Sequence, residues 1–191
     1  MFDWIKNIGK EVPEFWKIYL AKFDTKSERF VVISCETSGL NAQKDTILAV
    51  AGIAVINNAI VINDSFEIKI NYDVAIVDQS ATSDRTELNP IMALQEVVNF
   101  IGNAKLIGFR INFETEIINE MLSKLHCGKL KNEVFDLEVM HKKYENSIDD
   151  NFTLSELFSI YNIQKSDRET AAIEAFNMAL LFLKLKARLN I

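Results

Sequence analysis

Glycine and proline are scarce in this chain, six and two of 191 residues, which argues against a long disordered linker or a low-complexity tail. Cysteine is scarcer than any disulfide framework needs. Cys35 and Cys127 lie far apart and form no C-x-x-C pair, so neither a disulfide scaffold nor a zinc site is expected. Both read as buried, reduced thiols of a cytoplasmic protein. The longest apolar run, Ile47 to Ile56, falls well short of the ~20 residues that span a bilayer. The N-terminus shows no basic stretch leading into an apolar one with a cleavage site, which again points to the cytoplasm. Excess positive charge is also missing. At a net charge of -6 the chain has no general attraction for a phosphate backbone, and any nucleic-acid contact has to be local. No G-x-G-x-x-G follows the first strand and no P-loop occurs, which sets aside dinucleotide-binding and P-loop folds. No Ser/His/Asp or Cys/His arrangement is legible. His126 and His141 have no partner at ligand spacing, and the Lys129–Lys131 and Lys142–Lys143 pairs read as solvated faces.

What is present is the balance of an ordinary globular protein: 49% hydrophobic and 25% charged residues, enough to bury one core. Residues 1–27 are expected to form a helical appendage and 28–191 a single domain. Within residues 1–23, Pro13 suits the first turn of a second short helix, and Phe15, Trp16, Ile18 and Tyr19 supply an apolar face. Packing against the core or a second subunit is the favoured reading, and a membrane-surface anchor the alternative. Strands are expected at Arg29–Cys35, Thr46–Ile56 and Ala59–Ile70, the last two joined by a tight turn at Asn57-Asn58. The polar stretch from Tyr72 to Arg85 reads as a surface loop. Asn89-Pro90 caps a helix to Ile101. A strand at Ala104–Gly108, a helix at Asn112–Leu125, a short strand at Val134–Phe135 and a helix at Leu137–Tyr144 follow. Thr153-x-x-Glu156 and Ser166-x-x-Glu169 read as capping boxes, the second opening a C-terminal helix to about Arg188. Hairpins first and crossovers afterwards give a mixed α/β sheet, an antiparallel three-strand meander extended by parallel strands and flanked by helices.

Three segments in this order carry a family resemblance. VVISCETSGL (Val31–Leu40), followed by KDTILAVAGIAV, is similar to the strand ending in Asp-x-Glu-Thr-x-Gly-Leu that opens the DEDD exonucleases. LIGFRINFE (Leu106–Glu114) resembles that family's apolar pair, Gly or Ala, His-Asn, two variable residues and Phe-Asp. DRETAAIEA (Asp167–Ala175) resembles the His-x-Ala-x-x-Asp-Ala motif of its histidine-bearing, DEDDh subclass, to which the proofreading epsilon-type exonucleases belong. The resemblance runs over roughly residues 28–190 and implies a ribonuclease H-like fold.

It also implies a chemistry. In that family four carboxylates hold two divalent metals, Mg or Mn, which align water and stabilise charge on the scissile phosphate, while a histidine takes the proton. The matching catalytic positions here are Ser34, Glu36, Glu114, Glu169 and Glu174. Ser34 stands for the first Asp, Glu114 and Glu174 for later Asp residues, and Glu169 for the general-base His. Glu36 is the one unchanged group. Glu36, Glu114 and Glu174 are therefore the candidate metal ligands. Magnesium demands near-ideal octahedral geometry, so a longer Glu arm weakens such a site, and a neutral hydroxyl at Ser34 removes a charge both metals need. Glu169 with an ordinary carboxylate pKa is a feeble base at neutral pH. Each acid also has a purely structural reading: Glu169 in a capping box, Glu114 at a helix start, Glu174 on a solvated helix face.

Thr37, Ser38, Gly39 and Leu40 occupy positions that hold the terminal nucleotide in the family. Leu40 is expected to wedge against a base and Phe109 to offer a stacking face. Arg110 is a candidate to pair with Glu36, Glu114 or Glu174 in place of a metal, against the alternative of a solvated arginine. Three functional readings follow. The first is an exonuclease-family domain with weak or lost hydrolysis, the metal weakly held or absent, that keeps binding of a nucleotide or single-stranded nucleic acid. The second is an active 3′–5′ exonuclease with an altered metal site. The third is an interaction scaffold with a protein partner or self-association through residues 1–23.

Overall fold

β-Branched and apolar runs become strands wherever the sequence pattern asks for them. A computed structural model describes residues 12–73, 87–147, 151–168 and 170–191. The central strand β1 (Phe30–Thr37) pairs antiparallel with β2 (Ile47–Ile56), which pairs antiparallel with β3 (Ala59–Ile70). The β2–β3 turn places Asn57 and Asn58 at φ 51° and 61°. Asparagine tolerates the left-handed region best after glycine, and two such residues in succession suit the twist of a tight hairpin. β5 (Lys105–Gly108) and β6 (Val134–Asp136) extend the sheet in parallel on the other side of β1. A two-residue strand β4 (Glu87–Leu88), too short to leave a sequence pattern, pairs parallel with β3. The order is β4-β3-β2-β1-β5-β6, the mixed sheet expected, with β1 interior. The surface loop expected after Tyr72 falls largely on residues 74–86, outside the described residues.

Two helical layers cover the sheet. On one face α1 (Glu14–Ala21), α2 (Pro90–Ile101) and α3 (Ile111–Lys124) bury Val31 and Ile33 of β1 together with Val97, Ile101 and Leu122. On the other, α4 (Leu137–Glu145), α5 (Leu154–Ile160) and α6 (Ala171–Leu189) bury Val32 with Phe158, Met178 and Phe182. Side chains alternate across a strand, so Cys35 joins the first layer while Ser34 and Glu36 turn to the second. Pro13 takes the N-cap position of α1 rather than its first turn. Phe15, Trp16 and Tyr19 are buried in the core, and the Tyr19 hydroxyl donates to Asn132 Oδ1 at 2.8 Å. The described part of the N-terminal segment is thus packed on the sheet layer. Among the described residues no helix is long and apolar enough to cross a membrane.

Local caps set the helix starts. Asn89 accepts from the N–H groups of Ile91 and Met92, and Thr153 with Glu156 forms the expected reciprocal box. The C-terminal helix differs from expectation. It opens at Ala171, with Thr170 as N-cap accepting from Ile173, not at Ser166. The Ser166 hydroxyl instead accepts from the Arg168 N–H, and Glu169 lies outside the described residues. Acceptors for the first turn of α6 arrive from distant strands, so the local box is not what sets the start. Asp136 does comparable work for two helices at once. Its Oδ1 accepts from Glu138 and Val139 at the start of α4, and its Oδ2 accepts from Ile111 N–H at the start of α3. An Asp136→Ala variant should lose about 1–3 kcal/mol of stability, read as a lower urea midpoint with unchanged slope. No shift of that midpoint would show that the two helix starts do not rely on this carboxylate.

A candidate active-site cleft at the end of β1

The chemistry-bearing positions gather where β1 meets the start of α6. A bulge between Glu36 and Thr37 ends the regular β1–β2 register there, a local irregularity common beside sites. Ser34 is buried, 1% exposed, and its hydroxyl donates to Glu174 Oε1 at 2.7 Å. Glu36 Oε1 accepts from Ala171 N–H at 2.9 Å, and Glu67 Oε1 of β3 accepts from Ala172 N–H at 3.1 Å. The first turn of α6 is therefore held by two carboxylates from two strands, where the positive end of the helix dipole favours them. Nothing in the sequence around Glu67 marks where this strand side chain reaches.

Glu114 is separated from this group. It is 8% exposed, Oε2 has no hydrogen-bond partner, and it approaches the Cys35 thiol on the α3 side of the sheet. Burial first, then the neighbouring charge of Glu174, push its pKa well above the ordinary 4.5, with Cys35 opposing weakly. Burial first, then Glu114, push the Cys35 thiol up as well, which favours the thiol over the nucleophilic thiolate. Of the positions matched by resemblance, Thr37 ends β1, and Ser38, Gly39 and Leu40 lie on the β1–β2 connection. Ser38 Oγ donates to Asp45 Oδ1, Asn41 N–H donates to Asp45 Oδ2, and Thr37 Oγ1 donates to the Gly39 carbonyl. A Cβ on Gly39 would sit 2.6 Å from the Asp45 carboxylate, so the close approach of that side chain, not a left-handed backbone, requires glycine here. Leu40 is 90% exposed at the tip.

Arg110 does not join the acids at the β1 end. It sits at φ 51° ahead of α3, with its Nε on Glu138 Oε2 at 3.2 Å and its guanidinium over the Phe109 ring at 5.1 Å. Phe109 thus has one face shared with its neighbour's cation. Glu138, barely exposed, also accepts from Phe152 N–H and pairs with Lys142. Burial raises its pKa, but these donors outweigh it and hold the carboxyl below its ordinary value. The longer-range ties of Arg110 run to α4 because Glu138 is fixed at that helix start, a destination invisible along the chain.

A cleft of about 420 Å³ opens on the α5–α6 side, with Ser34, Glu36 and Glu174 at its inner end. Glu114 and the Thr37–Leu40 segment do not line it, and Glu169 lies outside the described residues. The donor set can be tested against a pair of divalent cations. One oxygen of Glu36 is held by a helix N–H, one of Glu174 by the Ser34 hydroxyl, and Glu114 is buried where its charged form is disfavoured. Among the described residues no three His, Cys, Asp or Glu side chains stand close enough to share a cation. These residues do not fit a two-metal centre.

Comparison with known proteins agrees with the architecture. No protein-family model matches the chain. It is 26% identical over 171 residues to the PolC-type DNA polymerase III of Caldanaerobacter subterraneus subsp. tengcongensis, covering 84% of this chain and 12% of that one. Among solved structures it resembles E. coli exonuclease I in complex with a dT13 oligonucleotide, at TM-score 0.66, 13% identity and 86% coverage of this chain against 42% of that one. A complex of exonuclease I with the SSB C-terminus gives TM-score 0.64 and 13% identity, over 85% and 42%. The chain spans less than half the length of each. The likeness shows the fold alone, a ribonuclease H-like mixed sheet flanked by helices.

Stability should report the Glu114 environment. A carboxyl whose folded pKa is raised keeps its full contribution below the unfolded value and loses it as pH rises toward the folded one. Relative to wild type, Glu114→Gln should therefore gain stability progressively as pH rises above about 4.5, by urea denaturation across that range. A difference independent of pH would mean the carboxyl is not held neutral.

Proposed function

We propose, for a chain whose sequence relative and fold support the DEDDh-type 3′–5′ exonuclease family, a domain that binds a nucleotide or single-stranded 3′ end and has weak or no metal-dependent hydrolysis. The observation that carries this is the Ser34 hydroxyl donating to Glu174 Oε1. A neutral donor stands where the first acidic ligand would be and takes up an oxygen of the last one. Two-metal hydrolysis needs anionic oxygens on both sides of each cation to steady the attacking and leaving atoms. With Glu36 also engaged by Ala171 N–H, a cation here competes with hydrogen bonds that hold α6 in place.

Binding has separate support. The β1–β2 connection is braced by Asp45 and presents Leu40 almost fully to solvent, an arrangement suited to wedging against a terminal base. Exonuclease I is solved with dT13, and the same fold offers this chain a comparable approach for a strand end. Two free cysteines, neither paired, fit a cytoplasmic, reducing setting.

On labelled single-stranded DNA with manganese, wild type should release no more mononucleotide than Glu36→Ala. Release by wild type that disappears in Glu36→Ala would overturn the loss of hydrolysis. Oligonucleotide binding, measured by fluorescence anisotropy, should weaken about fivefold to tenfold in Leu40→Ala, the loss of one apolar contact. That binding should also weaken as salt rises, through local phosphate contacts rather than the net charge. Equal binding by Leu40→Ala would remove the wedge.

A further inference from the structure

The cleft has a second set of side chains that the acidic motifs do not explain. Beyond Ser34, Glu36 and Glu174 it is lined by Lys165 and Arg168 on the segment before α6 and by Leu154 and Phe158 of α5. Both cations are exposed, and the Arg168 guanidinium has no partner among the described residues. Lys165 donates to Ser155 Oγ at 2.5 Å across the cleft, which leaves two of its three N–H donors unused. The helix end itself offers an anion nothing, since the N–H groups of Ala171, Ala172 and Ile173 already donate to Glu36, Glu67 and Thr170.

Asn177 is the more telling residue. It is only 8% exposed, lines the cleft from the second turn of α6, and its side-chain amide makes no hydrogen bond among the described residues. Its amide atoms are not among the fully buried unpaired ones, so they reach the cleft, and their hydrogen-bonding capacity, unused by the described residues, is suited to a ligand's donor or acceptor. The cleft combines that amide, an apolar wall and two cations. Its volume falls within the roughly 300–1,000 Å³ of small-molecule sites.

We propose that this cleft binds a nucleoside monophosphate without any metal ion. Lys165 and Arg168 hold the phosphate, Leu154 and Phe158 pack against the sugar or base, and Asn177 hydrogen-bonds to it. The ligand class rests on the binding reading above, while the metal-free cationic mode is a property of these residues. Arginine and lysine here take the place that a divalent cation would hold against the phosphate.

The test uses the full chain in excess EDTA and calorimetric titration with thymidine 5′-monophosphate, thymidine and inorganic phosphate. Thymidine 5′-monophosphate should bind, with thymidine and phosphate each about tenfold weaker or more. A Lys165→Ala/Arg168→Ala double variant, altered only at exposed positions, should bind the monophosphate about tenfold more weakly while thymidine is unaffected. Asn177→Ala, with its melting temperature checked, should weaken thymidine and its monophosphate alike. Binding that requires added manganese, or that is unchanged in the double variant, overturns the proposal. If oligonucleotide still binds and depends on Leu40 in that case, only the metal-free site fails. If neither oligonucleotide nor monophosphate binds wild type, the binding reading fails with it.

Discussion

The tie between the end of β1 and the start of α6 governs the arrangement of everything around it. A helix start leaves several N–H groups without intrahelical partners and carries a partial positive charge. Here the partners come from Glu36 on β1 and Glu67 on β3, with Ser34 joined to Glu174 one turn into the helix. Acceptors drawn from two strands fix both the height and the direction of α6 over the sheet. The helix can then bury Met178, Leu181, Phe182 and Leu185 in the layer that includes Val32 and Ile53. One oxygen each of Glu36 and Glu174 is thus engaged in joining a helix to a sheet.

The acids around this join are neutralised in three physically different ways. Glu36 accepts from the Ala171 N–H at the start of α6, without a counter-ion. Glu138 collects Arg110, Lys142 and the Phe152 N–H, enough to outweigh its burial. Glu114 has no such donors. Its burial and the charge of Glu174 favour the protonated form, and the Cys35 thiol beside it does not reverse that. Among the described residues, the acidic constellation read from sequence as one site is thus an exposed pair at a cleft, Glu36 and Glu174, and the buried Glu114, whose protonated form is favoured.

What the sequence makes legible follows from how local the cause is. The Asn57-Asn58 hairpin, the Asn89-Pro90 helix start and the Thr153–Glu156 box are each decided within four residues, and each is found where the pattern puts it. The order of elements, hairpins first and crossovers afterwards, also suffices for the mixed sheet, because it leaves few topologies open. The start of α6 is not legible, since its acceptors lie about 100 and 135 residues away and outbid a plausible local box. Asp136, Glu67, Asp45 and Asn177 are ordinary polar residues along the chain. Their roles come from the partner each meets, or in the case of Asn177 does not meet, once the layers close. Arg110 shows the same limit from the other side: its position ahead of α3 is readable, but its choice of Glu138 over the site acids depends on where α4 begins.

A metal pair on a phosphodiester does two things, and only one can be handed to side chains. It offsets the negative charge of the bound phosphate, and it lowers the pKa of a coordinated water so that hydroxide is available at neutral pH. Lysine and arginine can supply the first through charge-assisted hydrogen bonds. They do not supply the second, and Glu114, whose protonated form is favoured by burial, does not line the cleft. Cations at the cleft mouth and tied-off acids at its inner end therefore form one consistent arrangement. Attraction of a phosphate is separable from activation of water, and in the proposed reading only the first is kept, because one oxygen each of Glu36 and Glu174 takes part in the bonds at the start of α6.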